Sequence, residues 1–137
     1  MEREQLNYFL QHVAEEEITA LRQAVEQLAP VELIQKPVAQ TLLVPVRDPI
    51  NNGQFISGEV LVTSAVVKVG EAKGWAMVMD DSPQRAVGGA VLDAAFAAGV
   101  CKEDIIALAR KGQLLLEKEH SLLNARVKAT RVAFDLL

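Results

Sequence analysis

The 137-residue chain has the length of one domain, half of its residues are hydrophobic, and its net charge is −4. A mildly acidic chain lacks the positive field of a general nucleic-acid binder, and a lone cysteine excludes an internal disulfide and a four-cysteine zinc or iron–sulfur site. No apolar run reaches the roughly 18 residues of a membrane span, and the N-terminus lacks the apolar core of a secretion signal. We therefore expect one cytoplasmic domain over residues 1–137 that binds neither nucleic acid nor membrane.

Residues 2–28 have the periodicity of a helix. Apolar residues recur there at steps of three and four, and Pro30 ends the segment. The acidic run at residues 15–17 has two interpretations. It is either the solvated face of one helix or the first turn of a second helix, where carboxylates are favoured.

Residues 31–80 change to strand character and predict an antiparallel meander of four strands, at 31–38, 40–47, 55–69 and 75–79. Residues 48–53, which contain an Asn-Gly pair, and residues 70–74 are predicted to be the longer connections. Pro37 and Pro45 indicate edge strands or bulges. Both faces of the third strand are apolar, so either a partner chain or the chain's own long C-terminal helix covers the second face.

Residues 82–137 are predicted to be helical. Ser82 and Pro83 suit the start of the first helix and Gly99 its end, while Gly88 and Gly89 indicate either a close approach of another backbone or a weak helix. A small-residue stripe that permits close packing on the sheet is formed by Ala86, Ala90 and Ala94.

The last helix is predicted from about residue 103 to the end, with an apolar seam from Ile106 to Leu137 at steps of three and four. Unbroken, it would be about 50 Å long, which exceeds the width of a domain of this size. Either Gly112 breaks the helix or the end of the helix projects onto a partner.

The sequence contains no catalytic constellation. His12 and His120 lack a metal-ligand motif, and His120 is interpreted as a structural residue on the seam. Cys101 has no histidine nearby in sequence, and the segment 70–74 lacks the Ser/Thr of a phosphate loop. Asp80 and Asp81 fit the start of a helix better than a metal site. The pattern is typical of a non-autonomous subunit.

Four collinear segments resemble the PhnG family, a subunit of the bacterial carbon–phosphorus lyase system. The most specific is a strand pattern, carried by Phe55, Gly58, Glu59 and Thr63. Residues 74–79 resemble the family's next strand. Ala86 and Asp93 fit a helix pattern, and a C-terminal signature is matched by Thr130, Arg131, Val132 and Phe134. The chain departs from the family at residues 80–82, where glycine-arginine-aspartate is usual, so Arg85 is the candidate to replace that arginine in binding phosphate.

The resemblance implies a role in phosphonate catabolism. PhnG-like proteins act with PhnI, PhnH and PhnL as a multisubunit transferase, which displaces adenine from ATP with methylphosphonate to give α-D-ribose 1-methylphosphonate 5-triphosphate. They also belong to a core complex with PhnJ, which carries the iron–sulfur cluster. The resemblance implies that this chain alone binds no cofactor and no metal, that ATP is a substrate of the complex, and that no catalytic residue is assigned to it.

We therefore expect an α+β fold in which an antiparallel sheet of about four strands packs against N-terminal and C-terminal helices. The candidate binding or interface residues are Glu59, Thr63, Arg85 and Arg131. Glu59 and Thr63 lie four apart on one face of a strand, and Arg131 is the expected ionic partner of Glu59. We also expect the isolated chain to form a homo-oligomer. The alternative is that the chain is a stand-alone homodimeric domain with a small-molecule-binding or regulatory function.

Overall fold

The computed structural model describes the backbone of residues 1–47 and 54–135, and the side chains of residues 1–43 and 58–129. The elements follow in the order α1 (Arg3–Leu10), α2 (Glu15–Leu28), β1 (Val31–Arg47), β2 (Gln54–Val69), β3 (Ala72–Met79), α3 (Pro83–Ala98) and α4 (Lys102–Asp135). The α+β class is confirmed. Residues 15–17 form the first turn of a separate helix, because the chain turns between Leu10 and Glu15.

The sheet contains three antiparallel strands in the order β1-β2-β3 among the described residues, so the prediction of about four strands is wrong by one. The segments predicted as strands one and two form the single strand β1, whose pairing with β2 shifts register between Gln35 and Val38. Pro37 falls in this irregularity of an edge strand, where a missing N–H is tolerated. The predicted loop at residues 48–53 lies outside the described residues.

The β2–β3 hairpin is tighter than predicted. Its turn consists of Gly70, in the left-handed conformation, and Glu71, and β3 begins at Ala72. Gly74 is therefore a strand residue. A Cβ atom there would collide with the main-chain carbonyl of Ala90 and would lie 2.6 Å from the Cβ of Ala94, so β3 lies directly on α3.

Helix α3 forms the central layer of the fold. One side packs on β2 and β3 and the other on α1 and α2, and its buried residues therefore occupy all sides of the helix. The predicted stripe of Ala86, Ala90 and Ala94 is fully buried. The predicted approach of another backbone to Gly88 and Gly89 is wrong, because their near neighbours are the side chains of Ile18 and Ala76. Gly99 ends the helix in the left-handed conformation, as predicted.

Helix α4 has 34 residues and runs through Gly112 without a break. Gly112 faces α1 so closely that a Cβ atom would collide with the carbonyl oxygen of Phe9. Burial along α4 stops after Leu116, and residues 117–129 are exposed. The distal half of α4 thus leaves the body of the molecule, and the exposed fractions of Leu122, Leu123 and Val127 exceed 50%.

The second face of the sheet carries no helix of the described chain. The described part of α4 packs mainly on α1, not on this face. Exposed apolar side chains lie there on β1 and β3, namely Val38, Leu42, Trp75 and Met79. Of the two predicted coverings, the chain's own helix is therefore excluded for the residues described. No helix in this part of the chain is long and apolar enough to cross a membrane.

Candidate functional site

A cavity of about 550 Å³ opens at the free edge of β3. Its walls are formed by α1, the first turns of α3, β3, and the parts of β1 and β2 that lie beside the C-terminal end of β3. Most of its lining is apolar, contributed by Leu10, Ile18, Leu42, Leu43, Val60, Val62, Trp75, Ala76, Met77, Val78 and Met79. Its size is within the range of about 300–1,000 Å³ that is typical of small-molecule sites.

Gly89 and three polar side chains are the other described residues of the lining, and Arg85 is the charged one of the three. Its Nη1 donates a long hydrogen bond of 3.4 Å to the carbonyl oxygen of Gln11. The side-chain amide of Gln11 donates to the carbonyl oxygen of Met77 at 3.5 Å, and Asn7 lies one turn earlier on α1. No carboxylate is among the described residues that line the cavity, so the formal charge of this described lining is positive.

Thr63 fixes the loop that places Arg85. Its side chain is buried, and its Oγ1 donates a 2.6 Å hydrogen bond to the carbonyl oxygen of Asp80. The Oγ1 of Thr63 also accepts a 3.0 Å hydrogen bond from the N–H of Ser82. Asp80 adopts the left-handed conformation, with φ of 67°, which turns the chain from β3 into α3. Thr63 therefore sets the start of α3 and is a positioning residue.

Asp93 joins three elements in an ion-pair cluster with Arg3. Its two carboxylate oxygens accept hydrogen bonds of 2.9 Å from Nε and Nη2 of Arg3. Its Oδ2 also accepts a 3.0 Å bond from the N–H of Trp75, and Arg3 donates to the carbonyl oxygen of Lys73. Asp93 is 4% exposed, so α1, α3 and the free edge of β3 meet at a buried carboxylate.

The hydrogen bonds that Arg3 donates to Asp93 raise the pKa of Arg3 above its ordinary value, although desolvation by burial opposes this effect. A raised pKa in the folded state stabilises the fold at every pH below the unfolded-state pKa of the group. Because that pKa is strongly alkaline for arginine, the pairing is present over the whole physiological range.

The structure separates the predicted site residues. Thr63 bonds the loop at residues 80–82, which leads into the first turn of α3 with Arg85, so these two residues are linked. Glu59 lies four residues from Thr63 along β2, opposite Leu43, and is exposed. Glu59 has no hydrogen bond or ion pair to any described side chain. The side chains of Phe55, Thr130, Arg131, Val132 and Phe134 lie outside the described residues. The Glu59–Arg131 pairing stays a prediction, which a double-mutant cycle can measure.

The remaining candidates do not assemble into a reactive centre in the described part of the chain. No group of three or more His, Cys, Asp or Glu residues there could hold a metal ion. His120 is exposed, because the seam of α4 is uncovered at that point, so its interpretation as a packed structural histidine is wrong. His12 lies 5.5 Å from the ring of Tyr8, centroid to centroid.

Sequence reasoning missed the contribution of Arg3 and Gln11 to this region. Arg3 is 90 residues from Asp93, and no local pattern links them. A signal for Asp93 was nevertheless present, because it stands alone within the apolar run at residues 90–96. A charged residue in such a run is buried only when it is paired.

Comparison with known proteins agrees with this arrangement of motifs. The family model for the phosphonate metabolism protein PhnG matches residues 1–137, which is the entire sequence given. No curated protein shows a significant match. The family model covers α1 through α4, including the strand with Gly58, Glu59 and Thr63 and the helix with Asp93. The chain therefore belongs to the PhnG family of phosphonate metabolism proteins.

Proposed function

We propose that this chain is a non-autonomous subunit of a phosphonate-converting transferase. It acts with PhnI, PhnH and PhnL to form α-D-ribose 1-methylphosphonate 5-triphosphate and adenine from ATP and methylphosphonate, and it joins a core complex that includes PhnJ. Its contribution is structural and site-completing, and no group of three or more His, Cys, Asp or Glu residues in the described part of the chain could hold a metal ion. Membership of the PhnG family supports the pathway, and the surface of the chain supports the role as a subunit.

The observation that carries this proposal is the amount of apolar surface left without a partner. The distal half of α4 presents Leu122, Leu123 and Val127 to solvent, and the uncovered sheet face presents Trp75 and Met79. Contiguous exposed apolar patches of this kind mark sites of protein association. A ligand in the cavity at β3 would not cover the seam of α4, because no described residue of α4 lines that cavity.

The open edge of β2 supports the same role. β3 pairs with β2 only from Val62 to Val69, so the N-terminal half of β2 has β1 on one side and no strand of the described chain on the other. The free edge of β3, in contrast, is capped by side chains of Arg3, Asp93 and Gln11. One edge is thus protected against strand addition while the other is left available to a partner strand.

A reconstitution experiment tests the function. Omission of this chain from a mixture of PhnI, PhnH and PhnL with ATP and methylphosphonate is expected to lower adenine release at least about tenfold, because the assembled site is incomplete. Addition of the purified chain should restore the rate, and the chain alone should release no adenine. Adenine release by the isolated chain at the rate of the full mixture would refute the subunit role. An undiminished rate without the chain would refute it as well.

The isolated chain is expected to self-associate through α4. Leu123 lies on the exposed seam of α4, whereas Ala125 lies on the opposite side of the same helix. Leu123→Lys should shift the chain toward monomer because it places a charge in the buried contact, and the matched control Ala125→Lys should leave the association unchanged. Light scattering over a concentration series measures both. A clean monomer of the unmodified chain at high concentration would contradict the expectation.

A further inference from the structure

We propose that the cavity at the free edge of β3 binds a small organic anion with an apolar tail. The anionic head pairs with the Arg85 guanidinium, and the tail lies against the side chains of β3 and the β1–β2 pair. This binding site lies in the chain itself, so the proposal does not depend on assembly with other subunits. It goes beyond the structural role proposed above.

The charge distribution in the cavity determines the sign of the head group. Among the described residues of the lining, Arg85 is the one ionised side chain, and Asn7 and Gln11 are neutral amides. Asp80 and Asp81 are exposed in the preceding loop and do not line the cavity. A guanidinium in a wall of apolar side chains attracts an anion more strongly than one on an open surface, because water screens it less. A cation or a second guanidinium would be repelled.

The hydrogen bonds of Arg85 leave it able to hold such a head. Among the described residues its one acceptor is the carbonyl oxygen of Gln11, at the long distance of 3.4 Å. A guanidinium has several N–H groups in a planar fork, which matches two oxygens of a carboxylate or a phosphonate at once. Arg85 is half-buried, and Thr63 fixes the loop before it, so the side chain starts from a fixed backbone position.

The apolar part of the cavity determines the tail. Val62 and Val78 are buried in the lining, while Met77 and Met79 add unbranched side chains that adapt to irregular shapes. A head group alone would leave most of the cavity filled with water against apolar walls. The fit therefore requires a tail of several carbons, and a bare oxyanion such as inorganic phosphate does not supply it.

The chain contains its own reporter for this binding. Trp75 is its single tryptophan, it lines the cavity and it is about half exposed. A ligand that displaces water from its ring should shift and intensify its fluorescence in a saturable way. We expect such a change with hexylphosphonate, with hexanoate, or with both, measured on the full chain. Comparison of the affinities for hexylphosphonate and hexanoate shows whether the cavity prefers a phosphonate or a carboxylate head.

Truncated probes and variants separate the contributions of the head and the tail. Hexan-1-ol lacks the charge and methylphosphonate lacks the tail, so each should bind at least about tenfold more weakly than the better hexyl anion. Arg85→Gln should lower the affinity for that anion at least about tenfold and leave the affinity for hexan-1-ol unchanged. Arg85→Lys should retain part of the affinity for the anion. Arg110→Gln, on the exposed surface of α4, is the matched control and should bind as the unmodified chain does.

Three results would overturn the proposal. They are no saturable change with either hexyl anion, equal binding of hexan-1-ol and the anions, and full affinity in Arg85→Gln. Circular dichroism of each variant establishes that it is folded before binding is compared. If Arg85→Gln does not fold, Arg85→Lys and the comparison of hexan-1-ol with the anions still decide the outcome. Failure here leaves the reconstitution experiment unaffected, since that experiment requires no ligand in this cavity.

Discussion

Replacement of Asp93 by asparagine is expected to lower the free energy of unfolding by about 2–3 kcal/mol. The substitution removes the charge that pairs with Arg3 and weakens the acceptor for the N–H of Trp75. Loss of one partner from a fully buried pair costs about 3–5 kcal/mol. The expected loss is smaller here because the side chain of Arg3 is 45% exposed and can turn toward water.

Urea denaturation of the unmodified chain and of Asp93→Asn measures this difference directly. Asp81→Asn is the matched control, because Asp81 is exposed and its substitution should change stability by less than about 0.5 kcal/mol. Arg3→Gln should destabilise the fold at least as much as Asp93→Asn, since it leaves the buried carboxylate of Asp93 without its cation and keeps only an amide donor. Equal stability of Asp93→Asn and Asp81→Asn would mean that the cluster does not hold α1 to the sheet.

Replacement of Gly74 by alanine is expected to destabilise the fold by about 2–3 kcal/mol, because the added methyl group has no space. Its Cβ would collide with main-chain atoms of Ala90 and Ala94, and a helix backbone cannot move as a flexible side chain can. Either β3 separates from α3 or both shift. In both cases the packing of the central helix on the sheet deteriorates.

Gly58 provides the matched control, because it is also a glycine of a β-strand. A Cβ atom there would have no heavy atom within 4 Å, and its φ is not in the left-handed region. Gly58→Ala should therefore be neutral or stabilising by up to about 1 kcal/mol, since alanine loses less chain entropy on folding. Thermal unfolding of the two variants side by side is the measurement. Equal melting temperatures would show that the contact between β3 and α3 is looser than described.

The features predicted correctly from the sequence are those with local causes. Ser82, Pro83 and Gly99 bound α3 because helix ends depend on nearby backbone groups. The sequence left two interpretations open for the acidic residues 15–17, and the structure selects the one in which they start α2. The long α4 follows from an apolar period that needs no knowledge of the rest of the chain.

The errors and omissions have causes distant in sequence. Gly74 was assigned to a loop, but its lack of a side chain is required by α3, sixteen residues further on at Ala90. Gly112 was a possible helix break, yet it is a contact with the backbone of α1. The division of residues 31–47 into two strands was wrong, whereas the prediction that Pro37 marks an edge strand or a bulge is confirmed, because β1 lies at a sheet edge and shifts register there.

The candidate site shows the same division. Arg85 was singled out by its place after a departure from the family pattern, and it lies in the wall of the cavity. Thr63 was expected to act with Glu59 because both lie on one strand face. Its hydroxyl instead holds the loop at residues 80–82, through hydrogen bonds that span 17 and 19 residues. Such partners depend on how the hairpin folds back, which strand periodicity does not encode.

The exposed distal half of α4 has a consequence for the lifetime of the protein in the cell. Residues 117–129 have no tertiary contact that buries them, and a helical segment of this length is only marginally stable in water. It should therefore open locally far more often than the rest of the fold, and opened segments are what proteases cleave. A partner that covers the seam would suppress this opening. We therefore expect surplus copies to be degraded faster than assembled ones, so that the amount of this chain follows the supply of its partners.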